Sequence, residues 1–341
     1  MEAKDMFRKW GVPTACAGGL LLLLAAYFMF FNATFGIKDT TYLYIDDDDT
    51  PDSVNVKIKA AGQPGLSCGF PVLSALGGYS VKSGRYAIEP DDNMLDLYRK
   101  LRQGRQAPVR LTIPSVRTMD RLAGVLGRKL MMDSVLVAQS FADSAFCNRY
   151  GCDTATMACL FIPNTYEVYW NIGLDRFMER MQKEYKTFWT TERLEKAKAA
   201  GLTPEEVATL ASIVDEETAC DAEKPMVAGM YVNRLRCGMP LQADPTIKFA
   251  LRDFSLRRIY HKHLDVESPY NTYRNAGLPP GPIRIASIAG IDAVLNHVRH
   301  DYLYMCAKED FSGTHNFART YKEHLANAAK YSAALNRRGI K

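Results

Sequence analysis

The sequence offers no HExxH and no other metal-ligand spacing among its six histidines, so no metal centre is expected. It also lacks a basic arm, an interleaving of aromatic with basic residues and any zinc-finger spacing. The net charge of +5 is modest and not concentrated. Nucleic acid is therefore not an expected partner. Charge is missing altogether from Val12 to Gly36, and Leu20 to Phe31 is continuously apolar. Crossing a bilayer takes about 20 such residues. No small-x-small cleavage site follows Phe31, which argues against a removed signal peptide. The expectation is an uncleaved single-pass anchor over 12–36, preceded by a tail of residues 1–11. Lys4, Arg8 and Lys9 lie before it, and Asp39 and Asp46 to Asp49 lie after it. The positive-inside rule then places the tail in the cytoplasm and the bulk of the chain outside.

Cysteines number eight. With Cys16 inside the apolar stretch, an odd set remains, so at least one thiol is free or pairs elsewhere. Cys147, Cys152 and Cys159 are near enough to bridge, and small buried thiols are the other reading.

What is present fits about two domains and an α+β fold. From about 40 to 130 a weak repeat recurs. An apolar strand runs to Ile45, Ile88 or Ile113, a cap follows at Thr50, Asn93 or Thr118, and an amphipathic helix follows the cap. Such β-α units serve either as plain packing or as glycan binders. Beyond about 131 the pattern is mostly helical, with a long charged helix expected from Leu174 to Ala200.

The most informative stretch starts at a helix signal. Thr203 suits an N-cap, Pro204 the first helical position, and Glu206 completes a capping box. Val207, Leu210, Ala211 and Val214 then mark a buried face. Glu217 continues that face two turns past Leu210, while Asp215 points oppositely and Glu216 sits on the flank. An inward carboxyl has two readings. One is a structural ion pair with Arg234 or Arg236. The other is a general acid whose pKa is raised by desolvation, as glycosidic bond cleavage requires. Further on, SPYNTYRNAGLPPGP from Ser268 is too rich in proline for a helix or central strand and reads as a structured loop. Its Asn amides and Tyr rings suit sugar recognition.

Five ordered segments now combine: SIVDEET at Ser212, VAGMYVNRLRCGMPLQADPT at Val227, SPYNTYRNAGLPPGPI at Ser268, YLYMCA at Tyr302 and GTHNF at Gly313. Together they resemble the YceG/MltG-like endolytic murein transglycosylases, over residues from about 40 to the C-terminus. The resemblance implies a bitopic inner-membrane protein with a LysM-like region over 40–130 and an α+β catalytic domain over 131–341, the latter in the periplasm. It implies cleavage within nascent peptidoglycan strands, without a cofactor, and membrane peptidoglycan synthases as neighbours. It implies that Glu217 is the catalytic acid. Gln242, Asp244 and Thr246 match the family's LQ-DPT segment, and Asn271, Thr272 and Tyr273 its YNTY, so these are expected to position sugar or support Glu217.

The sequence departs from the family's pattern in places. Asp215 stands where Glu is usual, a change expected to be harmless because that position faces away. Ala158-Cys159 replaces a common Glu-Gly, and Asn164 a common Asp, so that segment is left out of the site. A glycoside hydrolase needs two carboxyl groups, whereas a lytic transglycosylase needs one. Glu217 would protonate the glycosidic oxygen between N-acetylmuramic acid and N-acetylglucosamine, then take the C6 hydroxyl proton as a 1,6-anhydro end closes. Gln242 and Asn271 would hold acetamido groups. A muramidase-type hydrolase using Asp244, and a murein-binding module without activity, are the alternatives.

Overall fold

The computed structural model describes residues 12–32, 35–62 and 69–338. The expected tail, residues 1–11, and Cys68 lie outside the described residues. The chain divides into two compact units. One takes in the chain to Arg110 with 129–131 and 167–172, and the other holds 111–128, 132–166 and 173 onward.

In the first unit, helix α1 (Val12–Phe30) is 19 residues long and uncharged, with Leu20 to Leu24 exposed. Among the described residues, no helix is long and apolar enough to cross a membrane. Strands β1 (Thr41–Ile45) and β2 (Gly84–Ile88) pair antiparallel, with Leu43 opposite Tyr86. Their alternate residues Leu43, Ile45, Tyr86 and Ile88 point inward, as the period of two requires. Helices α2 (Pro51–Gly62), α3 (Gly69–Gly77) and α4 (Met94–Gln103) cover that face through Val54, Ile58, Phe70, Leu97 and Leu101. The expected caps form. Ser53 N donates to the Thr50 hydroxyl at 3.2 Å, and Asp96 N to Asn93 Oδ1 at 2.9 Å.

Strand β3 (Val109–Thr112) pairs with β4 (Thr165–Val168). In the second unit, helix α5 (Met119–Lys129) begins at the third expected cap, where Arg121 N donates to Thr118 Oγ1 at 3.3 Å. Helices α6 (Ser134–Ala142) and α7 (Ser144–Arg149) follow. The long charged helix expected from Leu174 to Ala200 is instead two: α8 (Leu174–Phe188) and α9 (Thr191–Ala200). Trp189 leaves the helical path to bury its ring, and Thr190 restarts the chain by capping Arg193 N.

Helix α10 (Pro204–Glu217) is the centre of this unit. Its capping box is complete: Glu206 N donates to Thr203 Oγ1 at 3.2 Å, and Thr203 N to Glu206 Oε2 at 2.8 Å. Every residue from Val207 to Val214 is buried, so the helix is enclosed on all sides. Helices α11 (Lys224–Arg236), α12 (Asp244–Ala250), α13 (His261–Leu264) and α14 (Ile288–Leu295) come next. Val207, Leu210 and Val214 share one core with Val227, Met230, Ile291 and Val294. Strands β5 (Tyr304–Ala307) and β6 (His315–Ala318) pair antiparallel, and α15 (Tyr321–Arg337) closes the chain. The seven described cysteines are all free thiols, so Cys147, Cys152 and Cys159 do not bridge.

One contact between α10 and α14 is unusually close. A Cβ on Gly290 would lie 2.6 Å from Asp215 Oδ1. That carboxylate cannot yield freely, because Ser287 N and Ser287 Oγ each donate to it at 2.7 Å. Gly290→Ala should therefore lower stability by about 1–2 kcal/mol, although alanine in a helix is otherwise favoured by about 1 kcal/mol. A urea midpoint at or above wild type would show that Asp215 gives way.

Candidate active site

Helix α10 ends in three adjacent acids, and the structure gives each a different surrounding. Asp215 is buried and paired with Lys224 Nζ at 2.8 Å, besides its two bonds from Ser287. Its position does face away from Glu217, and there it serves as a structural anchor between α11 and the start of α14. Glu216 is clamped by two guanidiniums. Arg117 Nε and Nη2 donate at 2.8 Å each, and Arg284 Nη1 at 2.9 Å. Glu217 has no ion pair among the described residues. Its one protein hydrogen bond comes from the Tyr231 hydroxyl, which donates to Oε1 at 2.7 Å.

Glu217 opens into a cavity of about 320 Å³, shared with Tyr231, Arg234, Gln242, Asp244, Tyr273 and His315. Burial pushes its carboxyl up to about 7. The Tyr231 hydrogen bond pulls the other way, the negative charge of Asp244 pushes further up, and His315 and Lys248 pull down. The result is a carboxyl still half protonated near neutrality, which is the state a general acid needs. Arg234, the ion-pair partner that the structural reading proposes, does not quench it. Its guanidinium donates instead to the carbonyls of Leu303 at 2.6 Å, Leu241 at 2.8 Å and Pro240 at 3.1 Å.

The segment Leu241 to Asp244 alternates. Leu241 and Ala243 are buried, while Gln242 and Asp244 are exposed and line the cavity. Gln242 holds a left-handed backbone, φ 51°, which L-residues other than Gly seldom adopt. Threonines hold it there. Gln242 N donates to Thr272 O at 3.1 Å and Ala243 N to Thr272 Oγ1 at 3.0 Å, while the Thr246 and Thr272 hydroxyls lie 2.8 Å apart. The Tyr273 hydroxyl donates to Asp244 Oδ1 at 2.6 Å.

Of the residues singled out by sequence, Glu217, Gln242, Asp244 and Tyr273 therefore meet at one cavity. Thr246, Asn271 and Thr272 are enclosed and do not line it. Asn271 is fully buried, and its amide donates to Leu264 O at 2.8 Å and Val266 O at 2.9 Å. Its Oδ1 accepts from Tyr273 N at 3.0 Å. Both amide hydrogens are engaged, so Asn271 sets the loop that carries Tyr273 and holds no acetamido group. Tyr231, Met305 and His324 also line the cavity, and sequence reasoning passed them over. Their spacing carries no local signal, because three separate elements supply them.

A larger cavity of about 470 Å³ is lined by Arg117, Phe249, Phe254, Tyr270 and Arg284. Both of its clamping guanidiniums are engaged by Glu216, and no desolvated acid opens into it. Size alone does not make it the catalytic site.

The raised carboxyl has a consequence for stability. Unfolded, Glu217 loses its proton near the ordinary 4.5, whereas folded it keeps the proton to about 7. Between those values the folded state holds more protons, so stability falls as pH rises and levels off above about 7. Glu217→Gln removes that loss. The variant should match wild type in urea at pH 4, gain on it through pH 5 to 7 and stay more stable at pH 8. A pH-independent difference would show that the carboxyl is not desolvated.

Comparison with known proteins places the chain. The YceG-like family profile matches residues 43–330. An endolytic murein transglycosylase of Bacillus subtilis is 36% identical over 164 residues, which is 48% of this chain and 44% of that protein. An endolytic murein transglycosylase of Streptococcus pneumoniae is 27% identical over 286 residues, 74% of this chain and 51% of that protein. The chain thus spans about half the length of the curated relatives it matches. The crystal structure of a YceG-like protein of Listeria monocytogenes shares the fold. Its TM-score is 0.57 at 24% identity, with 85% of this chain and 99% of that one covered. With most of its length matched by the family profile, the chain belongs to the YceG-like family.

Proposed function

We propose that the protein is an endolytic peptidoglycan lytic transglycosylase that cuts the bond between N-acetylmuramic acid and N-acetylglucosamine and leaves 1,6-anhydromuramic ends. The observation that carries this is Glu217, a desolvated carboxyl with no cation beside it, opening into a polar cavity. Two relatives that bear the name endolytic murein transglycosylase support it. In this reading Glu217 gives its proton to the leaving glycosidic oxygen, and the muramyl C6 hydroxyl closes on C1. Gln242 and Tyr273 present polar groups to the sugar from the loop that Thr246, Asn271 and Thr272 fix. No second carboxyl is needed.

A hydrolytic reading has one observation in its favour. Asp244, a second carboxyl, lines the same cavity. The product separates the two. The full chain in detergent micelles, incubated with polymeric murein, should release internal fragments with 1,6-anhydro ends by mass spectrometry, and Glu217→Gln should release fewer by about 10²-fold or more. Reducing ends would establish hydrolysis instead. Murein binding without any cleavage by wild type would leave a binding module.

We also propose a single-pass anchor in the cytoplasmic membrane, a LysM-like front region and a periplasmic catalytic domain that works beside peptidoglycan synthases to terminate strands. The charge-free stretch from Val12 to Gly36 and the cationic residues before it support the anchor. The paired β1 and β2 with their capped helices support the front region. Protease added to spheroplasts that express the full chain should digest the Glu217 domain. Its protection until the membrane is opened would place that domain in the cytoplasm.

A further inference from the structure

The Glu217 cavity has a second ionisable group whose orientation is fixed by a buried carboxylate. His315, the first residue of β6, lines the cavity. Its backbone N–H donates to Glu223 Oε1 at 2.6 Å, and its Nδ1 lies 2.9 Å from Glu223 Oε2. Glu223 is only 9% exposed, and both of its oxygens are engaged by this one residue. A carboxylate can only accept, so Nδ1 carries the hydrogen and the neutral ring keeps its lone pair on Nε2. Nε2 has no hydrogen-bond partner in the protein among the described residues, and it is not a sealed buried atom. The cavity is what it is free to serve.

The surroundings leave this role to His315 alone. Asp244, from α12, accepts the Tyr273 hydroxyl. Arg234, from α11, is engaged with carbonyls. Tyr231 is bound to Glu217, and burial raises its hydroxyl far above the ordinary range. His324, from α15, stacks against Tyr304 and Tyr321, and burial and then Arg234 hold its pKa down. Glu217, from α10, is the acid.

We propose that His315, fixed by Glu223, is a further catalytic residue: its Nε2 takes the proton of the attacking hydroxyl while Glu217 gives its own to the leaving oxygen. The inference rests on the transglycosylase reading above. The muramyl C1–O4 bond breaks and a C1–O6 bond forms. The Glu217 proton goes to O4, and the O6 proton goes to His315 Nε2. When the product leaves, His315 returns that proton to Glu217 through solvent, so the cycle consumes neither water nor oxidant. Two groups thus divide what a single carboxyl would otherwise do in turn, and neither has to move between the two oxygens.

The test follows initial rates on polymeric murein from pH 5 to 9, with the full chain in detergent micelles. Wild type, His315→Gln, His315→Ala with and without added imidazole, and Glu223→Gln are compared. His315→Gln should keep its melting temperature and its KM within about twofold, lose about 10²- to 10³-fold in kcat, and lose the acid-side limb of the pH profile. Imidazole should restore part of the His315→Ala rate, and Glu223→Gln should fall by about tenfold. A His315→Gln rate equal to wild type overturns the proposal. So does a lost rate with an unchanged profile shape and no imidazole rescue, which is the behaviour of a structural contact. In either case continued wild-type cleavage leaves the transglycosylase reading standing. Wild-type protein that cuts nothing at any pH overturns that reading, and this proposal with it. If His315→Gln does not fold, Glu223→Gln decides: a wild-type rate and profile there would sink the idea.

Discussion

The site depends on keeping positive charge away from one carboxyl. A cation in direct contact with a carboxylate lowers its pKa by about 1–3 units, enough to strip Glu217 of its proton at neutral pH. Yet the end of α10 sits among Lys224, Arg117, Arg284 and Arg234. Each is held elsewhere. Lys224 goes to Asp215, the two guanidiniums on the flank go to Glu216, and Arg234 goes to three backbone carbonyls. Among the described residues the network therefore leaves Glu217 without an ion pair, and the pull of charge against its raised pKa is the longer-range one of His315 and Lys248. The one side-chain bond it receives among the described residues comes from Tyr231, a neutral donor, which orients Oε1 and lowers its pKa less than a cation in contact would.

The rest of the second unit serves that arrangement. Burying α10 on all sides fixes the direction in which its last residue points. The helix also ends there, with Thr218 extended at φ −139°. The partial negative charge of a helix C-terminus opposes a carboxylate beside it, so the backbone works in the same direction as burial. Across the cavity, the left-handed Gln242 is an uncommon conformation that persists because Thr272 accepts from Gln242 N and Ala243 N, and Thr246 ties both Ala243 O and Thr272. A loop held this way presents Gln242 and Asp244 without relying on the substrate to order them.

Much of this was legible in the sequence where the signal is local. Thr203 and Glu206 announced the start of α10, and the spacing from Leu210 placed Glu217 on the inward line. The caps Thr50, Asn93 and Thr118 were equally plain, because a cap acts within three residues. What the sequence could not show was long-range pairing. Arg117, Arg284 and Ser287 lie far from the acids they bind, and no spacing links them. From the sequence Asp215 reads only as facing away from Glu217; its pairing with Ser287 and Lys224 is visible only in the fold. Asn271 misled for the opposite reason. Its residue type suits sugar, but burial gives its amide to the backbone. The split between α8 and α9 was hidden because Trp189 and Thr190 carry no proline or glycine to mark a break. Tyr231 and His315 join the site only through tertiary packing.

Three acids in a row on a helix differ from three in a row on a strand. A strand offers two directions, so the first and third acid would share one face. A helix turns about 100° per residue, so Asp215, Glu216 and Glu217 face three surroundings. That geometry lets one short segment hold a buried ion pair, a guanidinium clamp and an unpaired acid without mixing them. It also makes the register of α10 decisive. A slip of one residue that put Glu217 in the place of Glu216 would hand it to Arg117 and Arg284 and leave Thr218 facing the cavity. The acid would then become an ordinary ion-paired carboxylate. The completed capping box at Thr203, the close approach of Gly290 to Asp215 and the clamp on Glu216 each oppose such a slip. In this fold the devices that stabilise the helix are the same ones that keep its last carboxyl protonated.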